Sequence, residues 1–268
     1  MKSRRNALRS GLGAASVLLV VQLLAGGAVS AMDLPQGRQQ AASFRAEPSN
    51  LQERRPTTFK APTKPSKPRP ALLARISSDL QVTARPGNGK VIGVMPRGSR
   101  YYGEAHTAWI QKRSADGRYG KVTVPYSESR ATGWIRIAGL ELSSTPYSVQ
   151  ADLSRHLVTV RRLDKVIMRF PTATGAPGSP SPTGRYFVTD RVAIPGGGSF
   201  GTYAFGISGI QPNLPGGWSG GDQMAIHGTS DPSSIGTSAS AGCLRVSEGT
   251  LDRLEPLLKL GTPITIKP

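Results

Sequence analysis

The 268 residues include one cysteine, three histidines and sixteen carboxylates, and each scarcity excludes something. The lone cysteine, Cys243, cannot close an internal disulfide, so the fold must hold through its own core. No cysteine follows the apolar stretch near the start, which excludes a lipid-modified N-terminus there. Acidic residues are outnumbered by 34 lysines and arginines, and the resulting net charge of +18 implies an anionic partner. Long helical patterns are also missing. Gly (32) and Pro (22) interrupt short runs rich in Val, Ile, Thr and Tyr, the pattern of a mainly β protein.

The chain opens Met1-Lys2-Ser3-Arg4-Arg5, followed by an apolar stretch over 12–24 and small residues over 25–31. Residues 1–31 therefore read as a signal peptide, or as an uncleaved signal anchor, and the rest as secreted and cell-wall associated. Without the four basic residues of that segment the charge is still +14. Export turns the anionic partner away from nucleic acid and toward anionic wall polymers or acidic lipid headgroups. Residues 32–75 are polar and rich in Pro and Lys, ending in Lys64-Pro65-Ser66-Lys67-Pro68-Arg69-Pro70, and read as a disordered, extended linker.

Over 76–142 short β-like runs (80–84, 90–95, 119–124, 133–137) alternate with turns at 86–89 and 115–118. The segment from Val82 to Pro86, the run 91–98 and the closing Gly133-Trp134-Ile135 resemble a bacterial SH3-like domain, a small β-barrel. Trp134 reads as a core or rim residue. A second β pattern begins at Tyr147, with runs 147–152, 157–162 and 166–174 forming successive hairpins. Ser247, followed by Glu248 and Asp252, can cap a short C-terminal helix that Pro256 ends, and residues 261–266 read as a last strand.

The chemistry concentrates in Ile226-His227-Gly228-Thr229 and Ser240-Ala241-Gly242-Cys243-Leu244-Arg245, joined by a loop rich in Ser that contains Pro232 and Gly236. A thiol nucleophile needs a base to become a thiolate, and His227 can serve. The oxyanion of an acyl-transfer intermediate needs donors, and Gly242 lets backbone N–H groups approach a carbonyl closely. A charged substrate needs an anchor. Arg245 lies two residues beyond Cys243, on the same side of an extended segment, and its fork suits a carboxylate.

Those residues, in that order, resemble the active site of the L,D-transpeptidases, the YkuD-type cell-wall cross-linking enzymes. His227, Gly228, Thr229, Ser240, Gly242, Cys243 and Arg245 match the family pattern. Pro182-Thr183-Gly184 and the last strand extend the likeness over 146–268. One position departs, since the family's second histidine is Ala241 here.

The resemblance implies a β-rich catalytic domain with a short C-terminal helix and two catalytic residues, Cys243 and His227. Gly242, Arg245, Ser240, Gly228 and Thr229 would bind substrate or shape the oxyanion site. It implies no metal or organic cofactor and no role for His106 or His156. Substrates would be peptidoglycan stem peptides, and carbapenem-type inhibitors should acylate the cysteine. The same site could release its acyl group to water, as a carboxypeptidase does. A sortase fits less well, because its His and Cys lie farther apart, and a non-catalytic wall-binding module would have no use for the triad of residues. With the SH3-like part read as a separate module, the catalytic part is expected to stand alone when residues 33–142 are removed.

Overall fold

The computed structural model describes residues 68–268. The signal segment and most of the linker read from the sequence, residues 1–67, lie outside the described residues.

The first half holds eight short strands: β1 (Ala71–Arg75), β2 (Leu80–Thr83), β3 (Val91–Met95), β4 (Thr107–Ile110), β5 (Lys112–Arg113), β6 (Tyr119–Thr123), β7 (Thr132–Arg136) and β8 (Leu142–Thr145). They form a three-stranded sheet, β4-β1-β8, and a five-stranded one, β3-β2-β7-β6-β5. Val82, Met95, Ile110, Val122, Ile135 and Ile137 fill the space between them. The 115–118 turn forms as its sequence predicts: Gly117 takes φ +71°, and Asp116 Oδ1 accepts from the Ser114 hydroxyl at 2.6 Å and the Arg118 N–H at 3.0 Å.

Strand β1 falls inside the stretch read as linker. Ala71, Leu72, Leu73 and Ala74 are poor β-formers, but pairing to both β4 and β8 overrides that weak local preference.

The second half adds β9 (Tyr147–Asp152), β10 (Leu157–Arg162), β11 (Lys165–Pro171), β12 (Thr174–Gly175), β13 (Gly184–Ala193), β14 (Tyr203–Ile210), β15 (Gln223–His227), β16 (Ser238–Ser240), β17 (Leu244–Arg245), the helix α1 (Glu248–Leu254) and β18 (Pro263–Lys267). Eight of the strands make one sheet in the order β11-β10-β9-β18-β13-β14-β15-β17. The last strand inserts between β9, parallel to it, and β13, antiparallel, which is why Ile264 and Ile266 are buried. Helix α1 seats Leu251 and Leu254 on the core that includes Val160, Phe205, Met224 and Leu244. Ser247 precedes the helix as expected, but its hydroxyl meets Thr250 Oγ1 at 2.9 Å and caps no backbone N–H.

The two cores are not independent. Phe187 on β13 is buried in the core of the first half, where the His106 ring meets it edge-on at 6.0 Å. Tyr126 N–H donates across to Ser208 at 2.9 Å, and Gly261, at φ +82°, lies against Thr107 so closely that any side chain would collide with it. Residues 68–268 fold as one body.

Candidate active site

The sheet edge carries the motif residues. Strand β17 is the last strand of the large sheet and pairs in parallel with β15, Ile226 opposite Leu244 and His227 opposite Arg245. Alternation along both strands then puts His227, Arg245 and, two residues back, Cys243 on one face. On its other side Arg245 exchanges two backbone hydrogen bonds with Ala173, at 2.9 and 3.1 Å, so β17 is held from both sides.

The turn before Cys243 is braced by small polar residues. Ser240 donates its hydroxyl proton to the Cys243 carbonyl at 2.6 Å and accepts from the Gly242 N–H at 3.0 Å. Ser181, just ahead of the Pro182-Thr183-Gly184 segment, donates to the Gly242 carbonyl at 2.7 Å. Gly242 is buried at φ +117°, and a Cβ there would lie 2.4 Å from Gln211 Nε2, so no other residue fits. The Gly242 N–H is thus already engaged; what this glycine supplies is the shape of the turn. Thr229 accepts from the Asp231 N–H at 3.0 Å and shapes the chain after His227. Gly228 packs against Gly201 and Glu248 with no room for a side chain.

His227 is buried, with the Phe200 ring edge-on at 4.9 Å. Its Nδ1 lies 2.6 Å from the Gly228 carbonyl. A carbonyl can only accept, so Nδ1 carries the proton and Nε2 keeps its lone pair. Burial pushes the imidazole pKa down to about 4; the Arg245 charge adds to that, while backbone hydrogen bonds to Gly228 and Phe200 oppose it. At neutral pH the ring is therefore a neutral base.

Cys243 is partly buried at the floor of the cleft. Desolvation raises its pKa, against a backbone hydrogen bond from Ala225 and the Arg245 charge, which lower it. The sequence offered His227 as the base that turns this thiol into a thiolate. In this structure the two side chains share a face without a hydrogen bond between them, so the resting pair is neutral thiol and neutral imidazole. Arg245 Nε is buried with no hydrogen-bond partner, and the four ion pairs among the described residues do not include this arginine. Of these three residues, Cys243 lines the cleft, and Arg245 and His227 lie behind its lining.

The cleft above Cys243, about 290 Å³, has walls that the motif does not contain. Phe200 and Trp218 come from the loops around β14, but Tyr101 and Tyr102 come from the first half of the chain. Arg100 grips both carboxylate oxygens of Asp222 at 3.0 Å, and the Tyr101 hydroxyl donates to the same carboxylate at 2.8 Å. The Trp218 indole N–H donates to the Gly221 carbonyl at 2.7 Å, folding that loop onto the pinned residue. The cluster of glycines around Trp218 was the available signal for such a loop. Nothing in the sequence pointed to Tyr101 or Tyr102. His106 and His156 lie outside the cleft, His106 bonded to the Pro96 carbonyl and Tyr126 hydroxyl and His156 to Thr174.

A thiol, a nitrogen base and an unneutralised guanidinium on one sheet edge are the equipment of acyl transfer. Residues 146–266 match the family model of the YkuD L,D-transpeptidase catalytic domain. The chain is 29% identical over 121 residues to the putative L,D-transpeptidase YkuD of Bacillus subtilis, covering 45% of this chain and 66% of that one. Its likeness to the Bacillus licheniformis protein of the same description is 29% over 135 residues, 50% of this chain and 74% of that one. Among solved structures, the NMR structure of the E. faecium L,D-transpeptidase catalytic domain overlays with a TM-score of 0.34 at 20% identity, covering 45% of this chain and 96% of that one.

Proposed function

We propose that the protein is an L,D-transpeptidase that cross-links peptidoglycan stem peptides through a thioacyl intermediate on Cys243, with His227 as general base. The observation that carries this reading is the 2.6 Å bond between His227 Nδ1 and the Gly228 carbonyl, which leaves Nε2 as the free base on the face that Cys243 shares.

The steps balance as follows. Nε2 takes the Sγ proton as the thiolate attacks the donor carbonyl between an L- and a D-residue. The tetrahedral intermediate collapses, the C–N bond breaks, and the imidazolium returns the proton to the departing D-residue amine. An acceptor-stem amine then attacks the thioester, gives its proton to Nε2, and expels the Cys243 sulfur, which is reprotonated. Arg245 favours the thiolate as it forms and holds a carboxylate of the donor. Because both partners rest neutral, His227 buried and Cys243 partly so, the reactive ion pair would arise as substrate excludes water from the cleft.

The same reading has the enzyme working outside the membrane, on the basis of the basic start and apolar segment of the sequence. It gives residues 76–142 the role of an SH3-like wall-facing region. Incubating the protein with purified disaccharide-peptides and weighing the products tests it. Cross-linked dimers lacking one D-residue support transpeptidation. Trimmed monomers alone would make water the acceptor, and unchanged substrate would overturn the proposal.

A further inference from the structure

A second concavity, about 670 Å³, lies at the seam between the two halves of the fold. Its lining includes Arg69, Arg113, Arg161 and Arg185, and no aspartate or glutamate. None of the four takes part in an ion pair among the described residues. Three of them are nevertheless held in place by partners that leave the charge intact. Arg113 donates to the Gly117 carbonyl at 3.1 Å, Arg161 donates to the Asp164 carbonyl at 3.0 Å, and Arg185 lies over the Trp109 ring at 4.5 Å. Guanidiniums oriented by neutral groups are preorganised donors whose charge still awaits an anion.

This groove is separate from the Cys243 cleft. Arg185 is the second residue of β13 and Val192, which lines the cleft, is seven residues further on, so the two sites lie about 23 Å apart along one strand. The charge patterns differ too: in the cleft Arg100 is neutralised by Asp222. Arg69 lines the groove, and in the sequence it follows Lys60, Lys64 and Lys67.

We infer that the groove lined by Arg69, Arg113, Arg161 and Arg185 is a binding site for an acidic polymer carrying repeated phosphate or carboxylate groups. Four cations along one open groove match a chain with regularly spaced charges better than a single small anion, and the Arg fork accepts either oxyanion. A nucleic acid is the weaker fit, because single-strand binding uses free aromatic faces for base stacking and Arg185 already covers Trp109.

The test compares two triple variants of the full chain, each of net charge +15: Arg113→Gln/Arg161→Gln/Arg185→Gln in the groove, and Arg85→Gln/Arg97→Gln/Arg253→Gln at exposed positions outside it. Anisotropy reads binding to labelled inorganic polyphosphate and to labelled polygalacturonate, with neutral dextran as the blank. The groove variant should bind about tenfold more weakly near 0.15 M salt and show a flatter salt dependence, and the control should lose less than about twofold. Weakening for polyphosphate alone assigns the phosphate source, and for polygalacturonate alone the carboxylate source. Equal losses in both variants, no binding above dextran, or binding of duplex DNA alone would each overturn the inference. An unchanged iodoacetamide rate at Cys243 shows that the groove variant is folded with its cleft intact. If the triple variant does not fold, the single Arg113→Gln, at an exposed position on the short strand β5, carries the same comparison. The readout is independent of transpeptidation, so its failure is distinguishable from failure of the proposed activity.

Discussion

The two halves of the fold differ in kind. Residues 146–268 carry the thiol, the imidazole, the unpaired guanidinium and a core centred on one eight-stranded sheet. Residues 68–145 carry none of that chemistry, and their core is built of short strands in two small sheets. Yet both concavities of interest lie on the seam, each lined from both sides. On the proposed reading, the half that holds Cys243 supplies reacting atoms, and the other half supplies walls. A family motif reports on the first contribution and is blind to the second.

The sharpest test of that division is Cys243→Ala, which should remove all turnover while leaving both cores intact. Activity should fall by at least about a thousandfold, the loss typical of a deleted nucleophile. A carbapenem adduct, seen by intact mass on the wild-type protein, should disappear with it. Arg245→Ala should slow adduct formation without preventing it, since the anchor orients the drug and does not attack.

Removing residues 1–145 asks whether the halves can be parted. The sequence suggested that they could, with chemistry surviving loss of 33–142. The structure argues otherwise, because Phe187 would lose the core that buries it, at about 2–3 kcal/mol. The Asp222 carboxylate would lose both of its partners as well. The truncated protein should be poorly soluble or melt well below the full chain, and retain little cross-linking activity. A fragment with the stability and turnover of the full chain would show that the seam is only a contact.

The two buried histidines, one in each half, sharpen the comparison through pH. His227 has a folded pKa of about 4 against an unfolded value near 6.5, so the unfolded chain binds a proton first. Above about pH 6.5 both states are neutral at this site and it contributes nothing to the pH dependence. Between about 6.5 and 4 the unfolded state holds more protons, and stability falls as pH falls, by on the order of 3 kcal/mol in total for this group. His106, buried in the first half and lowered chiefly by desolvation, acts in the same direction. Urea titrations at pH 7 and pH 4.5 should therefore show a smaller acid loss for His227→Gln than for wild type, with a remainder that His106→Gln reduces further. An unchanged acid loss in His227→Gln would mean that the ring is not held neutral.

Much of the catalytic half was legible because its chemistry needs particular residues close together in sequence. His227 ends β15, Arg245 lies opposite it on β17 and Cys243 immediately precedes β17, so a short separation in sequence is closed by strand pairing. Strands rich in Val, Ile and Tyr, such as 147–152 and 157–162, were read with their observed ends. Strand β1 was missed because Ala-Leu-Leu-Ala has no local β preference and depends on neighbours far along the chain. The burial that pushes the Cys243 thiol up and the His227 imidazole down is visible only in the fold. Tyr101, Tyr102 and Asp222 carried no signal because their meaning arises from a contact spanning 121 residues.

That contact yields the smallest expected effect and the most specific to the seam. The side-chain hydrogen bonds of Arg100 and Tyr101 go to Asp222 and not to His227, Cys243 or Arg245, so replacing Arg100 leaves the reacting groups in place. If the clamp fixes the loop bearing Trp218, then Arg100→Ala should loosen one wall of the cleft and weaken substrate binding. The expected result is a KM raised about three- to tenfold with kcat changed by less than about twofold, the pattern of lost uniform binding. Asp222→Asn keeps the shape but weakens the charge-assisted bonds from Arg100 and Tyr101, and should fall between wild type and Arg100→Ala. Melting temperature should move little, because the pair is substantially exposed and such pairs contribute at most about 1 kcal/mol. The iodoacetamide rate at Cys243 should rise as the wall opens. If KM and thiol access both stay at wild-type values in Arg100→Ala, the first half does not shape the cleft, and the division into reacting atoms and walls fails at the point where the two halves meet.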